Sequence, residues 1–138
     1  MSHQGIFVTV LGCMDGRCQE KTVAFAKDLF GGEYVDTITE PGINGLLADG
    51  AHYGAASEEL RMSLKDWVRA KAAISANGHG SKSILITGHL QCAGNPVSRD
   101  EHVAHLKEAA DLVRSWGLFD DIRTAQFGDD WELALVEA

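Results

Sequence analysis

The sequence has few prolines, few cysteines and no long apolar stretch. Two prolines in 138 residues, with no low-complexity tract, leave little room for a disordered linker. The longest apolar stretches, such as residues 6–11, are much shorter than the roughly 20 residues that a membrane-spanning helix requires. We therefore expect a single domain over residues 1–138 and no association with a membrane.

The sequence also lacks clusters of basic residues. Twenty Asp and Glu residues outnumber twelve Lys and Arg residues, and the net charge is −8. Binding to nucleic acid needs clustered positive charge, whereas the basic residues here are scattered along the chain. The composition therefore argues against nucleic acid as a partner.

Three cysteines are too few to indicate a disulfide framework. The first five residues lack the basic and apolar segments of a secretory signal. We therefore expect a cytoplasmic protein, in which reduced cysteines serve as metal ligands, nucleophiles or core residues.

Short apolar runs alternate with segments of helical spacing. The apolar runs predict three buried strands, at residues 6–11, 34–39 and 83–87. The helical spacing predicts three helices, at about residues 18–30, 57–76 and 98–116, the last opened by a Ser98–Glu101 capping box. One or two edge strands are expected over residues 121–136. The alternation predicts an α/β domain with a mainly parallel sheet of four or five strands, flanked by helices.

The helical patterns also predict which side chains are buried. The second predicted helix has an apolar stripe made of Leu60, Leu64, Trp67, Val68 and Ile74. We expect Trp67 and Trp116 in the core. His102 and His105 lie three apart on the third predicted helix, without an acidic or cysteine partner at a recognisable spacing, and we expect them on a solvated face.

Two motifs rich in metal-binding residue types follow predicted strands. The segment CMDGR occupies residues 13–17, after the first strand, and HLQC occupies residues 89–92, after the third. Parallel sheets place their chemistry beyond the carboxyl ends of their strands. Zinc accepts thiolate and imidazole ligands at tetrahedral positions, and a Cys₂His set leaves the fourth position for water. Cys13, His89 and Cys92 are therefore the candidate metal ligands, whereas Cys18 lies outside the pattern.

Asp15 and Arg17 are the candidate catalytic pair. A carboxylate beside the metal can accept a hydrogen bond from metal-bound hydroxide and orient it. Arg17 can hold that carboxylate through a bidentate ion pair and keep it ionised. Without Arg17, the Asp15 carboxylate could move onto the metal and occupy the water position, so the pair could act as a latch on activity.

The order of the two motifs, Cys-x-Asp-x-Arg and then His-x-x-Cys, resembles the β-class carbonic anhydrases over about residues 6–97. The resemblance implies that Cys13, His89 and Cys92 bind Zn²⁺ and that Asp15 and Arg17 lie beside the metal-bound water. It implies reversible hydration of CO₂ to bicarbonate and a proton by zinc-bound hydroxide, in a homodimer. A family segment after the second strand keeps little more than its glycine here.

Two alternatives use the same metal site. A hydrolase of carbonyl sulfide or carbon disulfide would need only a differently shaped pocket, and the motifs do not identify the pocket residues. A non-catalytic zinc-stabilised domain would have its site closed by Asp15 as the fourth ligand. His52 and His79 are candidates for carrying protons away from the site, because imidazole titrates near neutral pH.

Overall fold

A five-stranded sheet forms the centre of the protein. The computed structural model describes residues 5–48 and 57–136. The strands are β1 Phe7–Gly12, β2 Tyr34–Thr39, β3 Ser83–Gly88, β4 Asp121–Phe127 and β5 Leu133–Leu135, and they lie in the order β2-β1-β3-β4-β5. Neighbouring strands are parallel except for β4 and β5, which are antiparallel. The predicted single α/β domain with a mainly parallel sheet is confirmed.

The last part of the chain differs from the expectation of edge strands. Of the two strands in this part, β5 lies at an edge of the sheet, whereas β4 lies between β3 and β5. Residues 124–127 of β4 are buried, because helices cover both faces of the sheet at this position. The expectation was therefore right for β5 and wrong for β4.

Helices within the described residues cover both faces of the sheet. They are α1 Gln19–Phe30, α2 Ile43–Leu47, α3 Glu58–Gly78 and α4 Arg99–Ser115, and a 3₁₀ turn at Gly16–Cys18 leads into α1. The predicted capping box is present, because the Ser98 hydroxyl accepts from the Glu101 amide and the Glu101 carboxylate accepts from the Ser98 amide. Among the described residues, no helix has both the length and the apolar composition needed to cross a membrane.

Two hydrophobic cores lie on opposite faces of the sheet. The smaller one joins Val8 and Val10 of β1 to Ala26 of α1. The larger one joins alternate residues of β1 and β3 to α2, α3 and α4, and includes Leu11 and Ile86. Successive side chains of a strand point to opposite faces, and an apolar run with no alternation therefore fills both cores. This explains why β1 and β3 could be predicted from sequence.

Helix α3 contradicts the predicted burial of its apolar stripe. It packs on the sheet through Val68, Ala72 and Ser75, which are almost completely buried. Trp67 is 56% exposed, and the expectation that it belongs to the core is wrong. The small side chains of Ala72 and Ser75 allow a close approach to the sheet. Leu60, Trp67 and Ile74 are exposed, whereas Leu64 packs against the larger core. Trp116, in contrast, is partly buried against the larger core.

Candidate metal centre

The carboxyl ends of β1 and β3 bring the three candidate ligands together. The two strands are neighbours, with Leu11 paired with Ile86. Cys13 follows β1 directly, His89 follows β3 directly, and the next turn returns Cys92 to the same place. The ligand atoms of these three residues all lie within 4.8 Å of one another. In the part of the chain that the structure describes, this is the only group of three or more metal-binding side chains.

The spacing of the two sulfur atoms suits tetrahedral zinc. The Sγ atoms of Cys13 and Cys92 are 3.8 Å apart. Two thiolates at about 2.3 Å from a tetrahedral zinc ion would be separated by about 3.8 Å. Both cysteines are buried, at 7% and 2% exposure, so bulk water would not compete for the site. The two cysteines therefore fit zinc in chemistry and in spacing.

The imidazole of His89 is oriented for ligation. Its Nδ1 lies 2.8 Å from the Leu90 carbonyl oxygen, which can only accept, so Nδ1 carries the proton. Its Nε2 is buried and has no hydrogen-bond partner among the residues that the structure describes. Burial lowers the pKa of His89, but the neighbouring Cys13 sulfur and the Leu90 carbonyl raise it by more. Nε2 is therefore the ring nitrogen available to join the two sulfur atoms in binding a metal.

Cys13 is the more acidic of the two cysteines. The hydrogen bond from the Cys92 thiol is the main reason why the pKa of Cys13 falls to about 4, against the opposing effect of burial. The Gly42 amide also donates to Cys13 Sγ, at 3.3 Å. The same contact with Cys13 raises the pKa of the Cys92 thiol. Metal binding would therefore require the Cys92 thiol to lose its proton.

Asp15 and Arg17 form a bidentate ion pair beside the cluster. Arg17 Nε and Nη2 donate to the two carboxylate oxygens of Asp15 at 3.1 and 2.7 Å, and the Arg17 amide donates at 2.9 Å. These bonds from Arg17 lower the pKa of Asp15 to about 2. Asp15 Oδ2 lies 4.0 Å from His89 Nε2. The carboxylate is thus ionised next to the candidate ligands, and Arg17 holds it there.

Trp131 lies against this ion pair and was not identified from the sequence. The guanidinium carbon of Arg17 lies 4.5 Å from the centre of the Trp131 ring. The same ring is 5.8 Å from the His89 ring and 5.5 Å from the Phe127 ring, measured between centroids. Trp131 follows β4 in the turn before β5. No motif marks this position, and only the fold brings the turn to the cluster.

A buried polar network supports the loop that carries Cys92. Asn44 Nδ2 donates to His102 Nδ1 at 3.0 Å, and Asn95 Nδ2 lies 3.3 Å from Asn44 Oδ1 and 3.0 Å from His105 Nδ1. His102 is fully buried, and burial lowers its pKa to about 4. The expectation of a solvated face is therefore wrong for His102, because α4 turns it towards α2. His105 is partly buried.

Two glycines, one at the N-terminal cap of α2 and one within α2, allow this segment to pack on the loop that carries Cys92. A Cβ atom on Gly45 would lie 2.5 Å from Asn95 Cγ, and one on Gly42 would lie 2.7 Å from the carbonyl carbon of Gly94. Gly42 also has a φ of 57°, in the left-handed region that favours glycine. The Pro41-Gly42 pair predicts a turn from the sequence, but it does not predict which loop that turn packs against.

Other candidates lie away from the cluster. Cys18 is buried but is not one of the clustered residues, and burial raises the pKa of its thiol to about 12. His79 lies near the amino end of β1, away from the cluster. Its Nδ1 is 2.6 Å from Asp36 Oδ2, and its ring stacks on Phe7, the first residue of β1. His52 lies outside the described residues.

Comparisons with known proteins agree with the fold and the motifs. A family model described as "Putative carbonic anhydrase" matches residues 3–137. No curated protein matches the chain. A β-carbonic anhydrase of the fungus Aspergillus fumigatus is similar in structure, with a TM-score of 0.50, 15% identity, and 94% of this chain and 74% of that chain covered. Isoform I of the β-carbonic anhydrases of the protozoan Trichomonas vaginalis is similar at a TM-score of 0.54 and 17% identity, with 93% of this chain and 80% of that chain covered. Since the family model covers almost the whole sequence, the chain belongs to the carbonic anhydrase family, and its fold is that of the β class.

Proposed function

We propose that the protein is a zinc-dependent carbonic anhydrase, which reversibly hydrates CO₂ to bicarbonate and a proton. The observation that carries this proposal is the buried cluster of Cys13, His89 and Cys92, whose ligand atoms lie within 4.8 Å of one another. Membership of the carbonic anhydrase family supports the reaction, and the ionised carboxylate of Asp15 beside the cluster supports catalysis at this site.

Cys13, His89 and Cys92 would hold the metal in this proposal. Zinc bound there would supply a Lewis acid that lowers the pKa of a bound water towards neutrality. The two cysteine thiolates would offset the charge of the ion. The Leu90 carbonyl fixes the His89 tautomer, so that Nε2 presents its lone pair to the metal position.

Asp15 would orient the attacking water. Its carboxylate is ionised and can only accept hydrogen bonds, so it would fix the direction of the water's O–H bond and aim the oxygen lone pair at CO₂. Arg17 uses two guanidinium N–H groups to hold the carboxylate in this role. The same bonds would keep Asp15 from occupying the fourth position on the metal, which argues for an open site over a closed, purely structural one.

A comparison of three substrates tests this function. Zinc-loaded protein should hydrate CO₂ in a stopped-flow assay with a larger kcat/KM than it shows for hydrolysis of carbonyl sulfide or carbon disulfide. Hydrolysis of carbonyl sulfide or carbon disulfide without CO₂ hydration would replace the proposed reaction by that of the alternative hydrolase. Turnover of none of the three by a fully zinc-loaded protein would favour a structural role for the metal.

We also propose that two copies of the chain form a homodimer. Leu60, Trp67 and Ile74 lie seven residues apart on α3 and are 50%, 56% and 62% exposed. An exposed apolar stripe of this kind is typical of a protein interface. Light scattering after size-exclusion chromatography should give the mass of two chains for the wild type and of one chain for Trp67→Glu. A monomeric wild type would contradict the proposal.

We propose a cytoplasmic location on chemical grounds. The Sγ atoms of Cys13 and Cys92 are 3.8 Å apart, and an oxidising compartment would favour a disulfide that removes both ligands. A reducing compartment would keep both thiols available for zinc. Cell fractionation should therefore recover the protein with cytoplasmic markers, and recovery from an oxidising compartment would contradict the location.

A further inference from the structure

We propose that Trp131 is a positioning residue that holds Arg17 against Asp15. This inference rests on the proposed function, because it assigns Trp131 to the same catalytic pair. The observations that carry it are the position of the Arg17 guanidinium over the Trp131 ring, the exposure of the ion pair, the backbone conformation of Trp131 and its contact with His89.

The ion pair needs support because much of it faces solvent. The Arg17 side chain is 51% exposed and the Asp15 side chain 21%. Exposed ion pairs are weak, since water competes for both charges and the long Arg side chain loses freedom when it is held. Arg17 alone would therefore spend part of its time away from Asp15, with its guanidinium in water.

Trp131 and Asp15 contact different parts of the same guanidinium. The guanidinium carbon of Arg17 lies over the indole ring, 4.5 Å from the ring centre. The carboxylate accepts from two N–H groups at the edge of the plane, Nε and Nη2. A guanidinium can stack on an aromatic ring and donate in its own plane at the same time. The two contacts together therefore restrict the Arg17 side chain more than the ion pair alone would.

The turn holds the Trp131 ring in place although the backbone of Trp131 is strained. Trp131 has a φ of 58°, in the left-handed region that bulky side chains rarely adopt. Its amide donates to the Gly128 carbonyl at 3.0 Å, and the Gly128 amide donates to the Glu132 carbonyl at 2.9 Å. Phe127, at the end of β4, packs against the ring. Such strain persists where surrounding contacts impose it, and it is frequent at functional sites.

The Trp131 ring lies close to the metal site as well as to Arg17. Trp131 contacts both Arg17 and the ring of the candidate ligand His89. Asp15 Oδ2 is 4.0 Å from His89 Nε2, so a carboxylate released by Arg17 needs only a small rotation to reach the metal position. By holding Arg17, Trp131 would keep Asp15 in its orienting role.

A double-mutant cycle on zinc-loaded protein tests the coupling. Trp131→Ala should lower kcat/KM for CO₂ hydration about tenfold, because a loosened Arg17 leaves Asp15 correctly placed for a smaller fraction of the time. Trp131→Phe keeps an aromatic face and should stay within about threefold of the wild type. In an Arg17→Met background, Trp131→Ala should change kcat/KM less than about twofold, since the side chain through which it acts is gone.

Fluorescence gives a second readout that does not depend on activity. The chain has three tryptophans, and Trp67→Phe with Trp116→Phe leaves Trp131 as the only one. In this background, Arg17→Met should shift Trp131 emission to longer wavelength and increase its quenching by acrylamide, with or without zinc. Glu132→Gln is the matched control in the same turn, where it breaks only the exposed ion pair with Lys21. It should leave both the emission and kcat/KM unchanged.

Two results would overturn the positioning role. One is a loss from Trp131→Ala that is as large in the Arg17→Met background as in the wild type. The other is Trp131 emission that does not respond to Arg17→Met. If the wild type does not hydrate CO₂, the proposed function fails, and the fluorescence experiment still decides whether Trp131 holds Arg17.

Discussion

The Sγ atoms of Cys13 and Cys92 lie 3.8 Å apart, although 79 positions separate the two residues in the sequence. Each cysteine follows a strand, and β1 and β3 are parallel neighbours whose carboxyl ends meet at one edge of the sheet. The pairing of these strands therefore brings the two sulfur atoms within reach of one metal ion. The proposed zinc-dependent activity requires this proximity of the two sulfur atoms.

Replacement of a proposed ligand should remove the metal. We expect Cys92→Ser to lower zinc affinity by more than about 100-fold, because the loss of a thiolate exceeds the 10–100-fold cost of disturbing a ligand's own partner. Thermal stability should fall as well, since metal binding is coupled to folding. Zinc per chain, measured by mass spectrometry after dialysis, checks this. Cys18→Ala is the control and should retain zinc, and stoichiometric zinc in Cys92→Ser would show that the ligand set is wrong.

Loss of the Asp15 charge should affect activity and not metal binding. We expect Asp15→Asn to keep one zinc per chain and to lower kcat/KM at least about 100-fold, because an amide can donate where the carboxylate can only accept. Steady-state CO₂ hydration at matched zinc content measures the effect. The control is Asp129→Asn, which removes an exposed carboxylate paired with Arg99. Full activity of Asp15→Asn would exclude Asp15 from the mechanism.

The packing of Gly45 on the Cys92 loop predicts a specific loss of stability. A Cβ atom in Gly45→Ala would lie 2.5 Å from Asn95 Cγ, so Asn95 would have to move. We expect the free energy of unfolding to fall by about 1–3 kcal/mol, as for other overpacked sites. Urea denaturation measures this change. Gly78→Ala is the control, because its Cβ would meet only Ile74 Cγ2, at 3.9 Å; equal effects of the two substitutions would refute the packing argument.

Because His102 is buried, we expect the free energy of unfolding to fall in mild acid. Burial lowers its pKa to about 4 in the folded protein, below the value of about 6.5 expected after unfolding. The unfolded chain therefore binds more protons between these values, and stability falls as the pH drops from about 6.5 to about 4. By pH 5 the loss from this residue should approach about 2 kcal/mol.

Urea denaturation of wild type and His102→Gln at several pH values isolates this effect. Both proteins should be saturated with zinc, so that acid release of the metal contributes equally to each. The wild type should lose more stability on acidification than the variant does. Parallel pH profiles would indicate that His102 is protonated in the folded protein as readily as in the unfolded chain.

The sequence was sufficient to predict the parts of the fold that depend on local patterns. The continuous apolar runs of β1 and β3, and the Ser98–Glu101 capping box of α4, were identified because each is a property of a few adjacent residues. The grouping of Cys13 with His89 and Cys92 followed from a general property of parallel sheets. Each of these inferences needed no knowledge of distant contacts.

Features that depend on packing between distant segments could not be predicted. His102 and Trp67 lie in similar helical patterns, yet one is fully buried and the other is 56% exposed, because neighbouring elements decide which face of each helix is covered. Trp131 reaches Arg17 only through the turn between β4 and β5. No local sequence pattern predicts which side chain that turn contacts.

The most direct test of the account is CO₂ hydration measured while zinc is added to metal-free protein. The stopped-flow rate, from about pH 6.5 to about 9, should rise in proportion to zinc, reach a plateau at one zinc per chain, and stay near the uncatalysed rate for Cys92→Ser throughout. A wild type that binds one zinc per chain in the cluster of Cys13, His89 and Cys92 and still fails to accelerate hydration at any pH would contradict the proposed function.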